Sequence, residues 1–269
     1  MDDKSKLGEL VQSVQANRKY ETIMPELVMR LAGKALAKGL RGKSVIKDVR
    51  SKLHQIGGAY FRRKVDYAEA EDDLRNLPQE LKSEPVKEFC IEYMETHAST
   101  AERIPIMDSF FDTCLESISP IKSVLDLACG MTPLSIPWMP MEEGFTYHAC
   151  DIYIDMLAFI QSFFDKFQIN GKAFTCDLIG NIPPKKVQVG LILKSIPCLE
   201  QVDKEIGLRL LEGIKAEHIL VSFPVRSLGG QRKGMPEFYQ ANFYEMVSEK
   251  PWQIKRFEFT TELAFLVTK

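Results

Sequence analysis

Two apolar runs near the end of the chain, Ile254–Thr260 and Leu263–Thr268, are separated only by Thr261 and Glu262. Two residues cannot hold a crossover helix, so these runs must pair antiparallel as a hairpin. Upstream the pattern is different. Five short runs rich in β-branched and aromatic residues, Ser123–Ala128, Thr146–Cys150, Lys172–Cys176, Val187–Lys194 and His218–Phe223, alternate with segments long enough for helices, among them Ile154–Phe167 and Lys204–Ile214. Strands spaced in this way imply βαβ units and a parallel sheet covered on both faces. The class is α/β, with an antiparallel strand added at the end of a parallel sheet.

The first hundred residues show none of this alternation. Leu7, Leu10, Val11 and Val14 recur at helical spacing, as do Leu27, Leu31 and Leu36. Ser44 is placed to cap a third helix through Val45, Val49 and Leu53, interrupted at Gly57-Gly58. The aromatic and basic cluster Tyr60-Phe61-Arg62-Arg63-Lys64 follows. Asp66 then starts a charged helix ending near Pro78, and another helix covers Pro85 to Met94. The expected division is an all-helical N-terminal module over 1–100 and a sheet domain over 101–269. Charge follows the same division. Residues 1–64 carry 15 Lys or Arg against 6 Asp or Glu, whereas the remainder carries 20 against 31. A basic block on an otherwise acidic chain fits a polyanion-binding surface, and it also fits solvated helix faces, so charge alone does not separate the two.

Several classes are disfavoured. No apolar run reaches the roughly 18 residues of a membrane span, and the polar start Met1 to Lys6 does not read as a secretory signal. The six cysteines contain no C-x-x-C pair and lie in apolar stretches, as expected of reduced thiols in a cytoplasmic protein. The four histidines have no metal-ligand spacing, so no bound metal is expected.

A Rossmann-like parallel sheet closed by a C-terminal antiparallel strand is the architecture of class I methyltransferases. The first strand leads into Leu125-Asp126-Leu127-Ala128-Cys129-Gly130, a small-residue turn that lets a cofactor approach the backbone at Gly130. The turn has a single glycine where nucleotide fingerprints usually have two or three. Asp151 ends the second strand, where a carboxylate can accept from two ribose hydroxyls. Asp177 ends the third, where it can accept from an adenine amino group while Leu178 covers the ring. Either Asp alone reads equally well as a helix cap; their order along the strand ends favours a nucleoside cofactor. The fourth strand exits through Leu193 to Gln201 without a strong general base. That fits a nucleophile that loses no proton, such as guanine N7, with catalysis resting on alignment.

The segments His54–Tyr60, His97–Arg103, Asp126–Leu134, Cys150–Ile152, Leu193–Gln201 and Ser222–Gly230 together resemble the Arm/Rmt family of aminoglycoside-resistance 16S rRNA methyltransferases. The resemblance spans essentially the whole chain. It implies a class I methyltransferase domain behind a helical RNA-binding extension, with S-adenosylmethionine as cofactor. The implied reaction is N7 methylation of guanine 1405 in the decoding region of 16S rRNA, on the 30S ribosomal subunit. Resistance to gentamicin-type aminoglycosides would follow. Tyr60, His97, Ser99, Thr100, Arg103, Ala128, Gly130, Asp151, Ile152, Asp177, Leu178 and Gln201 are the implied cofactor residues, with Arg103 on the methionine carboxylate and Gln201 near the methyl donor. Arg50, His54, Arg62, Arg63, Lys64, Arg226, Arg232, Lys233 and Met235 are the implied RNA contacts. No residue is singled out as catalytic beyond positioning, and the chain is expected to act as a monomer. Competing readings are an adenine-N1 methyltransferase of the same site, a small-molecule methyltransferase and a non-catalytic ribosome-binding protein. An NAD-dependent oxidoreductase fits worst.

Overall fold

The computed structural model describes residues 3–58, 60–225 and 235–269. Arg226, Arg232 and Lys233 lie outside them. The N-terminal segment is helical throughout: α1 (Asp3–Gln15), α2 (Pro25–Ala37), α3 (Lys43–Leu53), α4 (Tyr67–Asn76), α5 (Glu84–Met94), the single turn α6 (Ala98–Ala101) and α7 (Met107–Leu115). Asp66 caps α4, its carboxylate accepting from the backbone N–H of Ala68 and Glu69. Ser44 does not cap α3. It lies inside that helix with its hydroxyl bonded to the Arg41 backbone, and the cap position belongs to Gly42, whose φ of 54° suits glycine. Nor does Gly57-Gly58 break the helix outright, because residues His54–Gly58 continue it as one π-helical turn.

The sheet contains β1 (Ile121–Leu127), β2 (Met141–Asp151), β3 (Asn170–Thr175), β4 (Lys186–Leu193), β5 (Lys215–Pro224), β6 (Gln253–Glu258) and β7 (Glu262–Thr268), in the order β3-β2-β1-β4-β5-β7-β6. The first five strands run parallel; β7 enters antiparallel between β5 and β6. The helices α8 (Ile154–Lys166), α9 (Ile196–Leu199), α10 (Ile206–Gly213) and α11 (Met235–Val247) complete the chain. This is the class I methyltransferase arrangement. The order reverses between β1 and β4, so their carboxyl ends diverge and leave a crevice, the usual ligand position in such sheets.

The two faces of the sheet have different covers. Leu125, Ile192, Val221 and Phe265 pack with α10 and α11, through residues such as Leu210 and Phe243. On the other face, Val124, Tyr147 and Leu191 belong to a cluster that also contains Leu27, Leu31 and Val49 of the N-terminal helices. The helical segment and the sheet thus share one core. Phe159 on α8, fully buried, lies 5.6 Å from the ring of Tyr67, 6.2 Å from Phe89 and 5.4 Å from Tyr93. Phe159→Ala should therefore cost about 3–5 kcal/mol. It should leave a single cooperative transition in urea, followed by circular dichroism and by tryptophan fluorescence. Two separated transitions would show that the helical segment and the sheet fold independently.

Candidate functional site

A cavity opens at the carboxyl ends of β1 to β4. Its sheet-side walls are Ala128, Asp151, Ile152, Tyr153, Asp177, Leu178, Lys194, Ser195 and Cys198. Its other wall comes from the helical segment: Leu27, Ile56, Gly57, Tyr60, His97 and Ser99. The chain enters it through unusual backbone. Ala128 and Gly130 both have φ of 50°, and Lys194 has φ of 57°. Left-handed backbone at a residue with a side chain is costly and tends to mark functional turns. At Gly130 the conformation and the space act together, since a Cβ there would stand 2.8 Å from His97 Cε1.

Asp151 is fixed by the turn it faces. Its Oδ2 accepts from Gly130 N–H at 2.9 Å, and its Oδ1 accepts from Ile152 N–H at 2.6 Å. Burial raises the carboxyl above its ordinary range, while these N–H donors act in the opposite direction. Asp177 accepts from Ile179 N–H at 3.2 Å and is clasped by Arg30 of α2, whose Nη2 donates to Oδ1 at 2.8 Å and whose Nε donates to Oδ2. Tyr60 stacks on His97 with ring centroids 6.0 Å apart, and its hydroxyl lies 2.7 Å from Cys198 Sγ. Burial raises the Tyr60 phenol and pushes the Cys198 thiol up to about 11. His97 is pushed down to about 4, by burial first and then by the charges of Arg103 and Lys194. These three groups of the wall are therefore uncharged near neutral pH.

Beneath the cavity lies an ionic cluster. Glu262, fully buried at the start of β7, accepts from Arg103 Nη2 at 2.8 Å, from Arg103 Nε, and from the Ser222 hydroxyl at 2.5 Å. Lys194 Nζ reaches the same carboxylate at 3.2 Å and also Glu102 at 3.0 Å and the Ser99 carbonyl at 3.2 Å. Burial alone would raise Glu262, but Arg103 and Lys194 hold it below the usual carboxylate value.

Several expected contacts are placed elsewhere. Arg103 does not line the cavity: its guanidinium is fully buried and turned onto Glu262, with Nη1 3.4 Å from the Thr132 hydroxyl. Among the described residues, Lys194 is the cation on the cavity wall. Thr100 faces inward, its hydroxyl donating to the Met94 carbonyl at 2.7 Å. Gln201 lies beyond α9, in a second groove with Pro197, Phe238 and Tyr239. Of the expected RNA contacts, Arg62, Arg63, Lys64 and His54 are exposed. Arg50 is half-buried and donates to the Ser13 carbonyl at 2.6 Å, beside the exposed Lys43 and Lys47 on α3. Met235 begins α11. Lys194 and Ser195 fall in the Leu193–Gln201 exit segment that the sequence marks without singling them out, and nothing in the sequence pointed to Arg30 or Glu262. Among the described residues no cluster of His, Cys, Asp or Glu is placed to hold a metal ion, and no helix is long and apolar enough to cross a membrane.

The walls suit a nucleoside carrying an amino-acid tail. Two carboxylates stand at adjacent strand ends, and Gly130 lets the His97 ring of the wall pack against the turn after β1. Ser195 Oγ and Tyr153 Oη are buried on the cavity wall with no hydrogen-bond partner among the described residues. Two outcomes follow. Glu262→Gln, which leaves two cations facing a neutral amide, should cost about 3–5 kcal/mol in chemical denaturation. The second concerns pH. Between about 4 and 6.5 His97 is neutral when folded and protonated when unfolded, so it makes stability fall as pH falls through that window. His97→Asn should flatten that part of the stability–pH curve, and an unchanged slope would refute the assignment.

A family model described as "Ribosomal RNA methyltransferase (FmrO)" matches residues 16–266. The chain is 30% identical over 267 residues to a 16S rRNA (guanine(1405)-N(7))-methyltransferase of Micromonospora rosea, covering 98% of this chain and 97% of that one. It is 31% identical over 262 residues to the protein of the same name from Frankia casuarinae, covering 96% and 92%. The crystal structure of the 16S rRNA methyltransferase RmtF in complex with S-adenosyl-L-homocysteine superposes with a TM-score of 0.81 at 26% identity, over 100% of this chain and 99% of that one. The chain belongs to the FmrO family of ribosomal RNA methyltransferases.

Proposed function

We propose that this chain transfers a methyl group from S-adenosylmethionine to N7 of guanine 1405 of 16S rRNA within the assembled 30S subunit, and so gives aminoglycoside resistance. One observation carries the reading. The stretch that supplies Tyr60 to the cavity wall continues directly into the exposed Arg62, Arg63 and Lys64, so one short segment serves a nucleoside cavity and a polyanion-binding surface. Residues 1–100 are then the RNA-binding extension and 101–269 the methyltransferase domain. Arg50, His54 and Met235 belong to the RNA face with the three exposed cations, as do Arg226, Arg232 and Lys233 on sequence grounds. A single copy acts, in the cytoplasm, because the ribosome supplies the rest of the surface.

The cofactor supplies an electrophilic methyl group on a sulfonium. The chain's residues bind and orient. Asp151 would accept from ribose hydroxyls, Asp177 would accept from the adenine amino group, and Ile152 and Leu178 would cover the ring. Lys194, Ser195 and Ser99, on the same cavity, would hold the amino-acid tail. Guanine N7 carries a free lone pair and loses no proton on methylation, so the site needs no base. The uncharged His97, Tyr60 and Cys198 accord with that. What remains is alignment, which is worth several kcal/mol of a barrier when two reactants are held in line. The target guanine must leave its stack to enter, at a cost of a few kcal/mol. Gln201 lies with Phe238 and Tyr239 in the groove beyond α9.

Incubation with unmodified 30S subunits and S-adenosylmethionine, followed by borohydride–aniline cleavage and primer extension, should give a stop at guanine 1405. Asp151→Asn should weaken cofactor binding by about 10- to 100-fold, the scale of a hydrogen bond to a charged group, and leave 30S binding intact. A stop without cleavage at a neighbouring adenine would overturn the assignment of atom and base.

A further inference from the structure

Arg30 sits on α2, and the carboxylate it clasps is 147 positions away at the end of β3. Nothing in the proposed chemistry requires it. An exposed ion pair would deserve no comment, since such pairs contribute little. This one is different in three respects. The side chains are only 22% and 14% exposed, and the guanidinium spans both carboxylate oxygens as a fork. The arrangement leaves Arg30 Nη1 buried with no acceptor among the described residues, which is unfavourable for stability and so not explained by it. The base of α2 is also anchored beside the cavity. Met24 N–H donates to the Ile152 carbonyl at 2.9 Å, and Ile154 N–H donates to the Thr22 carbonyl at 2.8 Å. Leu27, one turn before Arg30, lines the cavity itself.

The acceptor count of Asp177 shows what the clasp does. An ionised carboxylate offers about four lone-pair positions, two on each oxygen. Oδ1 receives Arg30 Nη2 and Ile179 N–H, and Oδ2 receives Arg30 Nε. One position remains, on Oδ2, and Asp177 is part of the cavity wall. We propose that Arg30 is a positioning residue of the adenine subsite: it fixes the plane of the Asp177 carboxylate and leaves it a single acceptor, matched to one N–H of the adenine 6-amino group. The proposal rests on the reading of Asp177 as the adenine acceptor. It also makes the RNA-binding segment a participant in cofactor selection, because the residue that tunes the subsite belongs to that segment.

The test is selectivity, which a merely structural role would not move. Calorimetry on the full chain compares S-adenosylhomocysteine with S-inosylhomocysteine, which presents an oxygen acceptor where adenine presents its amino group. The natural protein should prefer the adenosyl compound. Arg30→Gln should lose about tenfold of that preference, the scale of one hydrogen bond to a charged group. Arg30→Lys keeps the charge but cannot span both oxygens, so it should lose part of the preference while folding normally. Asp177→Asn, whose amide can donate to the inosyl oxygen, should abolish or reverse the preference. If Asp177→Asn removes the preference while both Arg30 variants retain it in full, the role of Arg30 is overturned and the adenine assignment stands. Preference unchanged in Asp177→Asn would overturn the assignment itself, and the proposal with it.

Discussion

Glu262 is the point on which the site rests. A carboxylate removed from water is tolerable only beside compensating charge, and here two cations from different parts of the chain supply it. Arg103 arrives from the link between α6 and α7, Lys194 from the exit of β4, and Ser222 from near the carboxyl end of β5. One buried charge thus ties the antiparallel strand, two parallel strands and the helical segment together directly below the cavity. The stacking of the Arg103 guanidinium over Phe110, 5.0 Å from the ring centroid, fixes the same side chain from its other face. The left-handed Lys194 is held in place by this cluster, and strained backbone persists only where its surroundings over-determine it.

The helical segment contributes more than a basic surface. Leu27, Ile56, Gly57, Tyr60 and His97 make one wall of the cavity, and the apolar side chains of α1 to α5 are continuous with one face of the sheet. The exposed basic surface and the cavity wall are therefore mechanically adjacent. Displacement of this segment would reach the cavity through packed side chains, with no hinge needed between separate bodies.

How much of this could be read from the sequence depends on the range of each signal. The strands were legible because their apolar runs are local, and the order of Asp151 and Asp177 at strand ends followed from the alternation itself. The hairpin followed from a two-residue gap. Asp66 announced its cap by position. Helix α7 was equally legible and was not among the expected elements, although Met107, Phe110, Phe111, Cys114 and Leu115 repeat with helical period and are all buried. What the sequence concealed was pairing over distance. Glu262 looked like a turn residue between two strands, and nothing local connects it to Arg103, 159 positions earlier. That pairing also explains why Arg103, identified by resemblance as a cofactor contact, is turned away from the cavity wall. Arg30 was one cation among many on basic helices, and Asp177 gives no sign in the sequence of having a partner. Ser44 was misplaced for a different reason: Gly42 can adopt the positive φ that the chain needs before α3, so the cap fell two residues earlier.

The position of β7 bears on synthesis. It inserts between β5 and β6, and its first residue is the carboxylate that neutralises Arg103 and Lys194. On a translating ribosome, β1 to β5 and the helical segment emerge well before Glu262 does. Until then two cations face each other across an open sheet edge, and β5 has no partner on that side. The nascent protein can assemble its walls but not its floor. Completion of that floor is tied to the emergence of β7, so a product truncated before Glu262 should retain most of the fold's elements and still lack the ion cluster.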